Sequence, residues 1–348
     1  MAQYTSEAGF YWYDEFVSLP HGLYWSSTVR KLLIFLLMFA NGALAGESPI
    51  RLALNDLPGK GMLMVLVGVE DARQRGVPIQ LSYLNSENIV IQALNSGLAD
   101  VGMGTPYQYL QGHDSDLRMI YQLSKLAFFP VVNQRVYRGW KDLDGAVMYS
   151  HGSGSGTEAV LNILAARHGI QYAEMRYLPG SGTRARAMLE GRIKATVLDA
   201  ERTRMLLDKD PSRFARLPLG DTTATDEALF ASKALIDARA DEIKVLLESL
   251  LMVWRKTIDD PLWLAGERER LGLLPDLEQD EAATIVPYIS DLVAGGAFAR
   301  DGGVADAARE DFAFYTAAGT LKGDPAELKA EDFWNFGVLM EALQRPDH

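Results

Sequence analysis

From Pro49 the chain alternates short apolar runs with stretches whose apolar positions recur at helical spacing, the pattern of parallel strands joined by helices. "IRLALND" predicts a strand, 60–75 a helix, "IQLSYL" a strand, 87–96 a helix and "DVGMG" a strand. A helix from Pro106 and the strand "RMIYQLS" close this round. A second round follows: "GAVMYS", a helix over 157–168, "MRYLP", a helix over 183–190, "ATVLD" and a helix over 200–208. Two such rounds predict an α/β chain of two open lobes, each a mixed, mostly parallel sheet flanked by helices.

The segments "FFPVVNQRVYRGW" and "RLPLGDTTATDEALFAS" lie between and after the rounds and are expected to cross between lobes. Beyond about Leu235 the pattern turns helical, and this tail is expected to pack on the first lobe. The aromatic cluster Phe333, Trp334 and Phe336 reads as core of that tail. The expected division is lobe I over 46–132 plus 228–348, with the helical C-terminal region, and lobe II over 133–227.

The N-terminal region has its own grammar. In "VRKLLIFLLMFANGALAGESPI" a short basic stretch (Arg30, Lys31) precedes an apolar run from Leu32 to Ala40 and the small-x-small end Ala43-Leu44-Ala45. That is the pattern of a secretory signal peptide over 29–45, with cleavage after Ala45, and the run is shorter than the roughly 20 residues of a membrane span. Residues 1–28 are aromatic-rich without a clear period, and translation is expected to start at Val29. The expected compartment is therefore the periplasm, with no span in the mature chain.

Composition narrows the function classes. The 348 residues are 48% hydrophobic and 23% charged, an ordinary globular balance. A formal charge of -12, without a basic stripe, argues against a nucleic-acid partner. The chain has no cysteine, which excludes disulfides, thiolate nucleophiles and cysteine-ligated metal sites. Its five histidines form no close-spaced pair, so neither a metal nor another cofactor is expected.

Candidate chemistry concentrates at three turns. "SHGSGSGTEAVLNIL" fails as a nucleophile elbow, because neither Ser153 nor Ser155 has glycine on both sides at the required spacing. It fails as a Walker loop for want of lysine, and as a dinucleotide fingerprint because Thr157 stands where the third glycine belongs. Ser155-Gly156-Thr157-Glu158 fits a capping box opening a helix. Thr105-Pro106-Tyr107-Gln108 fits the same device, and Gly180-Ser181-Gly182-Thr183 is a third strand-to-helix turn. Such turns leave backbone N–H groups free at helix N-termini and lie at the carboxyl ends of strands, where open α/β folds bind small polar or anionic molecules. His151 adjoins this expected cleft, without a sequence-visible partner for catalysis.

The units "RLALNDLPGKG", "IQALNSGLADVGMGTP", "DLDGAVMYSHGSGSG", "LPGSGTRARAMLEGRIKATVLDAE" and "AAGTLKGDPAELKAEDFWNF" resemble, in order and over nearly the whole mature chain, the periplasmic substrate-binding proteins of ABC importers for sulfonates, taurine, nitrate and thiamine-type pyrimidine precursors. The resemblance implies a two-lobed, hinged periplasmic-binding-protein fold that closes on a small-molecule ligand as a monomer. It delivers that ligand to a membrane permease with a cytoplasmic ATPase and is not an enzyme. It further implies ligand contacts at Asn55, Asp56, Thr105, Pro106, Ser153, Ser155, Thr157 and Asp199. Many relatives carry tryptophan or a Glu-Pro pair near the Asp199 position, and this chain does not. Asp56 and Asp199 prefer amino or ring N–H donors, whereas Gly–Ser amides favour oxyanions.

Two other classes compete. "GSGSGTEAVLNIL" also resembles the Gly-Ser-Gly-Thr turn of TRAP-type solute receptors, although their Gly-rich first turn is replaced here by "NDLPGKGM". Enzymes on the same fold, of the pyrimidine-precursor or menaquinone-pathway type, are a further alternative. The first relies on a cysteine cluster absent here, and the second is cytoplasmic.

Overall fold

The strand "IRLAL" (β1, Ile50–Leu54) is buried at all but Arg51, as suits a strand with neighbours on both sides and helices on both faces. A computed structural model describes residues 48–84, 86–153, 155–219 and 223–344. The signal peptide, its cleavage site and the 1–28 extension lie outside the described residues.

After β1 a single 3-10 turn leads into α1 (Leu63–Gln74). Then come β2 (Ile79–Tyr83), α2 (Glu87–Asn95), β3 (Val101–Gly104), the short α3 (Tyr107–Gly112) and β4 (Leu117–Lys125). The chain next enters a different sheet with β5 (Phe128–Asn133), continues through β6 (Val147–Ser150), α4 (Gly156–His168), β7 (Glu174–Tyr177), α5 (Ser181–Leu189), β8 (Ala195–Asp199), α6 (Ala200–Lys209) and β9 (Phe214–Arg216), and returns as β10 (Thr225–Ser232). The tail is helical: α7 (Lys233–Ala238), α8 (Ala240–Asp259), α9 (Pro261–Leu271), α10 (Gln279–Ala283), α11 (Ile285–Ala294), α12 (Ala307–Ala317) and α13 (Gly337–Leu343).

Among the described residues three sheets result. The first has the order β2-β1-β3-β10-β4, the second β8-β5-β9, and β6 pairs with β7 alone. The first-round strands β1, β2 and β3 pair in parallel, as does β6 with β7. The strands that carry the chain across arrive antiparallel: β10 against both β3 and β4, and β5 against both β8 and β9. Thr196 on β8 donates its hydroxyl to the carbonyl of Tyr149 on β6 at 2.8 Å, tying the smaller sheets together.

The chain changes sheets at Leu126–Ala127 and again across 217–224. Described residues of the two crossings meet, the Leu126 amide donating to the Ala224 carbonyl at 2.8 Å and the Leu217 amide to the Pro130 carbonyl at 2.9 Å. The segments expected as crossings thus hold two strands, β5 and β10, because their apolar residues complete sheets on either side.

One core lies between the first sheet and the tail. The amphipathic α8 buries Leu246, Leu247, Leu250, Val253 and Trp254 against α1, and each such side chain contributes roughly 1.5–3 kcal/mol. Gly68 lets the two helices touch: a Cβ there would stand 2.6 Å from Leu250. Trp254 donates its indole N–H to the Leu123 carbonyl at 2.8 Å, fixing α8 to β4. A second core joins the other face of the first sheet, through Phe230, Phe312 and Trp334, to Leu161 and Val197 in the second half. Phe333 and Trp334 are buried in it, as their pattern predicts.

The helix boundaries follow local chemistry. Ser155 caps α4 by accepting from the Glu158 amide at 3.3 Å, and Gly169, at φ 63°, closes it in the left-handed conformation. The expected cap at Thr105 does not form. Its hydroxyl instead donates to the Asp226 carbonyl at 3.0 Å, so α3 starts one residue later with Pro106 as its cap.

Candidate functional site

A cleft of about 800 Å³ opens between the first sheet and the β6–α4 region. From the first sheet it is lined by Asn55, Asp56, Glu87, Thr105, Asp226 and Glu227. From the other side come His151, Ser153, Ser155, Thr157, Ser181 and Arg184. Six of the eight sequence-predicted ligand residues therefore face one space: Asn55, Asp56, Thr105, Ser153, Ser155 and Thr157. Pro106 and Asp199 do not line it. Asp199 caps α6, accepting from the Arg202 amide at 2.7 Å, and its own amide donates to the Ser181 hydroxyl at 2.9 Å.

On the α4 side the hydroxyls largely satisfy one another. Ser150 lies 2.9 Å from Thr157, Ser155 lies 2.9 Å from Thr157, and the Ser155 hydroxyl donates to the Gly152 carbonyl at 2.7 Å. The Nδ1 of His151 accepts from the Gly180 amide at 3.2 Å. Burial and the nearby Arg184 hold the imidazole below its ordinary range, so it is neutral at physiological pH. Arg184 is almost fully buried and donates to the Val197 and Leu178 carbonyls at 3.0 and 2.8 Å.

The first-sheet side is acidic. Asp226 and Glu227 stand next to each other on β10, and burial raises both, Asp226 to about 7 and Glu227 well above the usual carboxylate range. Asn55 points its Nδ2 at both Glu227 oxygens, at 3.1 and 3.0 Å. Glu87 is raised by burial and partly held back by the Thr105 amide, which donates to its Oε2 at 2.5 Å. Gly104, at φ 152°, makes this possible, since a Cβ there would stand 2.6 Å from the Glu87 oxygen.

Sequence reasoning missed Glu87, Asp226 and Glu227. Glu87 reads as an ordinary first-turn acid of α2, and Asp226-Glu227 sit in a segment taken for a crossing. The one available signal is two adjacent acids inside "TATDEALFAS", where a strand flanked by small and apolar residues has no local cation to pair them.

Across the cleft rim the two halves are joined by ion pairs. Lys60, after β1, reaches Glu201 on α6 at 2.7 Å, and Arg204 on α6 reaches Asp291 on α11 at 2.9 Å. Burial pushes Glu201 up, but Lys60 and Arg202 outweigh it and hold the carboxyl below its usual range. Among the described residues no helix is long and apolar enough to cross a membrane.

Two sheet systems, paired crossings and a cleft between them define the two-lobed periplasmic-binding-protein fold. The NMT1/THI5-like family profile matches residues 73–262, and the chain belongs to that family. Solved structures agree on the fold. The ligand-binding component of an ABC-type import system from Staphylococcus aureus, with zinc bound, is 13% identical with a TM-score of 0.63, covering 85% of this chain and 99% of that one. The alkanesulfonate-binding protein SsuA from Xanthomonas axonopodis pv. citri, bound to MOPS, is 18% identical with a TM-score of 0.57, covering 83% and 99%. The periplasmic nitrate-binding protein NrtA from Synechocystis is 11% identical with a TM-score of 0.58, covering 85% and 88%. No curated protein sequence matches the chain.

Proposed function

We propose that the protein is an extracytoplasmic solute-binding protein that captures a small polar organic molecule between its lobes and delivers it to an ABC permease driven by a cytoplasmic ATPase. The observation that carries this reading is the cleft of about 800 Å³, lined from both lobes and bordered by two crossings suited to hinge motion. Relatives of the same fold support it, being described as sulfonate-binding, nitrate-binding and import-system components. Lobe I is then built on the first sheet with the tail and lobe II on the smaller sheets, exchanging at Leu126–Ala127 and 217–224. We assign the ligand contacts to Asn55, Asp56, Thr105, Ser153, Ser155 and Thr157, joined by Glu87, Asp226 and Glu227.

A binding protein retains its solute unchanged. Native mass spectrometry of the protein released from the periplasm of its own host should show one small molecule per chain. Incubation should leave that molecule chemically intact. A converted molecule would indicate an enzyme on this fold; a chain that stays empty and responds to no solute class would remove the reading.

A further inference from the structure

We propose that the cleft recognises its solute through a positively charged nitrogen head group bearing N–H donors, of the amidinium, guanidinium or primary-ammonium kind, held by Asp226, Glu227 and Asn55. This rests on the solute-binding reading above and gives it a substrate class.

The first support is an unmet hydrogen-bonding need. With Nδ2 committed to both Glu227 oxygens, the Oδ1 of Asn55 is buried without a partner. A buried acceptor left unmade costs free energy that an N–H donor in the cleft would recover. The Asp226 carboxylate likewise makes no hydrogen bond or ion pair among the described residues, and the half-buried residue faces the same space. Both carboxyls and the orphan carbonyl oxygen line one cleft, a set of acceptors that suits a head group with several N–H donors.

The second support is that the cations lining the cleft are already engaged. Lys125 is paired with Glu310 at 2.8 Å. Arg184 commits its Nε and one terminal nitrogen to backbone carbonyls, and His151 is held neutral. Asp56 and Glu87 add negative charge on the same wall. An anion gains little from α4, because the Ser155 hydroxyl caps it and Asp226 already stands near its first turn: its Oδ1 lies 3.9 Å from where a Cβ on Gly156 would be.

Chemistry separates an organic cation from a bare metal ion. Among the described residues no three acidic or histidine side chains converge closely enough to hold a metal. Phe128 and Phe298 line the same cleft and give it apolar surface for the body of an organic cation.

Calorimetric titration of the full chain with benzamidine, propylguanidine and 1,4-diaminobutane, against ethanesulfonate, nitrate and calcium or zinc alone, tests the assignment. At least one organic cation should bind saturably, and Glu227→Gln and Asp226→Asn should each weaken it roughly tenfold or more. Because each change removes a carboxyl whose charged form burial disfavours, the variants should unfold no earlier than the parent at pH 8, which separates lost recognition from lost fold. Propylguanidine stays charged throughout, so its affinity for the unmodified protein should rise from pH 5 to pH 8 as the cleft acids ionise; this needs no variant. Sulfonate or nitrate binding with no response to the cations would overturn the head-group assignment while leaving solute binding intact. Metal binding weakened by the same substitutions would overturn it too. Silence from every probe, with nothing retained from the host, would end both readings.

Discussion

Asp311 sits with no exposure beneath the acidic wall and organises it. It accepts from the Tyr107 hydroxyl at 2.6 Å and from the Thr225 amide and hydroxyl at 2.6 and 2.7 Å, while Trp334 donates to Tyr107 at 2.7 Å. These bonds fix the start of β10, and hence Asp226 and Glu227, against α3, α12 and the C-terminal aromatics. Asp311→Ala strands three donors in the core and should cost about 2–4 kcal/mol, read from urea unfolding, with Asp311→Asn losing less. Burial raises Asp311 to about 6, and it raises the cleft acids in the same direction. Burial raises Asp226 to about 7 and Glu227 well above its ordinary range, against roughly 4 in the unfolded chain, so the folded protein holds more protons across that window. Stability from these groups is fully present below about pH 4 and is lost as pH rises through the folded value. The ligand-free melting midpoint should therefore fall between pH 5 and pH 8, and Asp226→Asn should flatten that slope; an unaltered slope would place the carboxylate in solvent.

Among the elements, α4 was the most legible in the sequence. Ser155, Glu158 and Gly169 are local signals, and the helix they frame runs as predicted within a residue. Replacing Ser155 by Ala removes the cap and should cost about 1 kcal/mol, measurable as a shift in the denaturant midpoint at constant slope. The first-round strands were legible for the same reason, since period and burial are set within each segment. β10 was not. Its Asp226-Glu227 pair breaks the apolar run, and only the antiparallel ladders to β3 and β4, formed by residues about a hundred positions away in sequence, make the segment a strand. The α3 cap failed for a related reason: Thr105 has the right type and spacing, but a tertiary acceptor on β10 outcompetes the helix. Half of the site is thus written in turns that can be read locally, and the other half in acids whose burial only the assembled sheet decides.

At the scale of the whole molecule, ion pairs join the two sides of the cleft. The side chains of Lys60 and Glu201 are 12% and 17% exposed and 2.7 Å apart, and the lysine also donates to the Thr284 hydroxyl at 2.9 Å. The Arg204–Asp291 pair is more open, at 40% and 29%, so solvent screens it more strongly. On the proposed hinge reading, opening the cleft breaks both pairs, and the less exposed first pair carries more of the difference between open and closed forms. If Lys60–Glu201 is worth about 1 kcal/mol, removing it shifts the closed-to-open ratio roughly fivefold. Lys60→Met should then enlarge the ligand-free radius of gyration in X-ray scattering and weaken every ligand by a similar factor. It touches no head group, so it should not alter the ranking among ligands. Arg204→Gln should do the same more weakly, and raising the salt concentration should erase more of its effect than of Lys60→Met. A scattering profile unchanged by Lys60→Met would mean that the second hydrophobic core, which runs through Phe312 and Leu161 across both halves, sets the lobe angle instead.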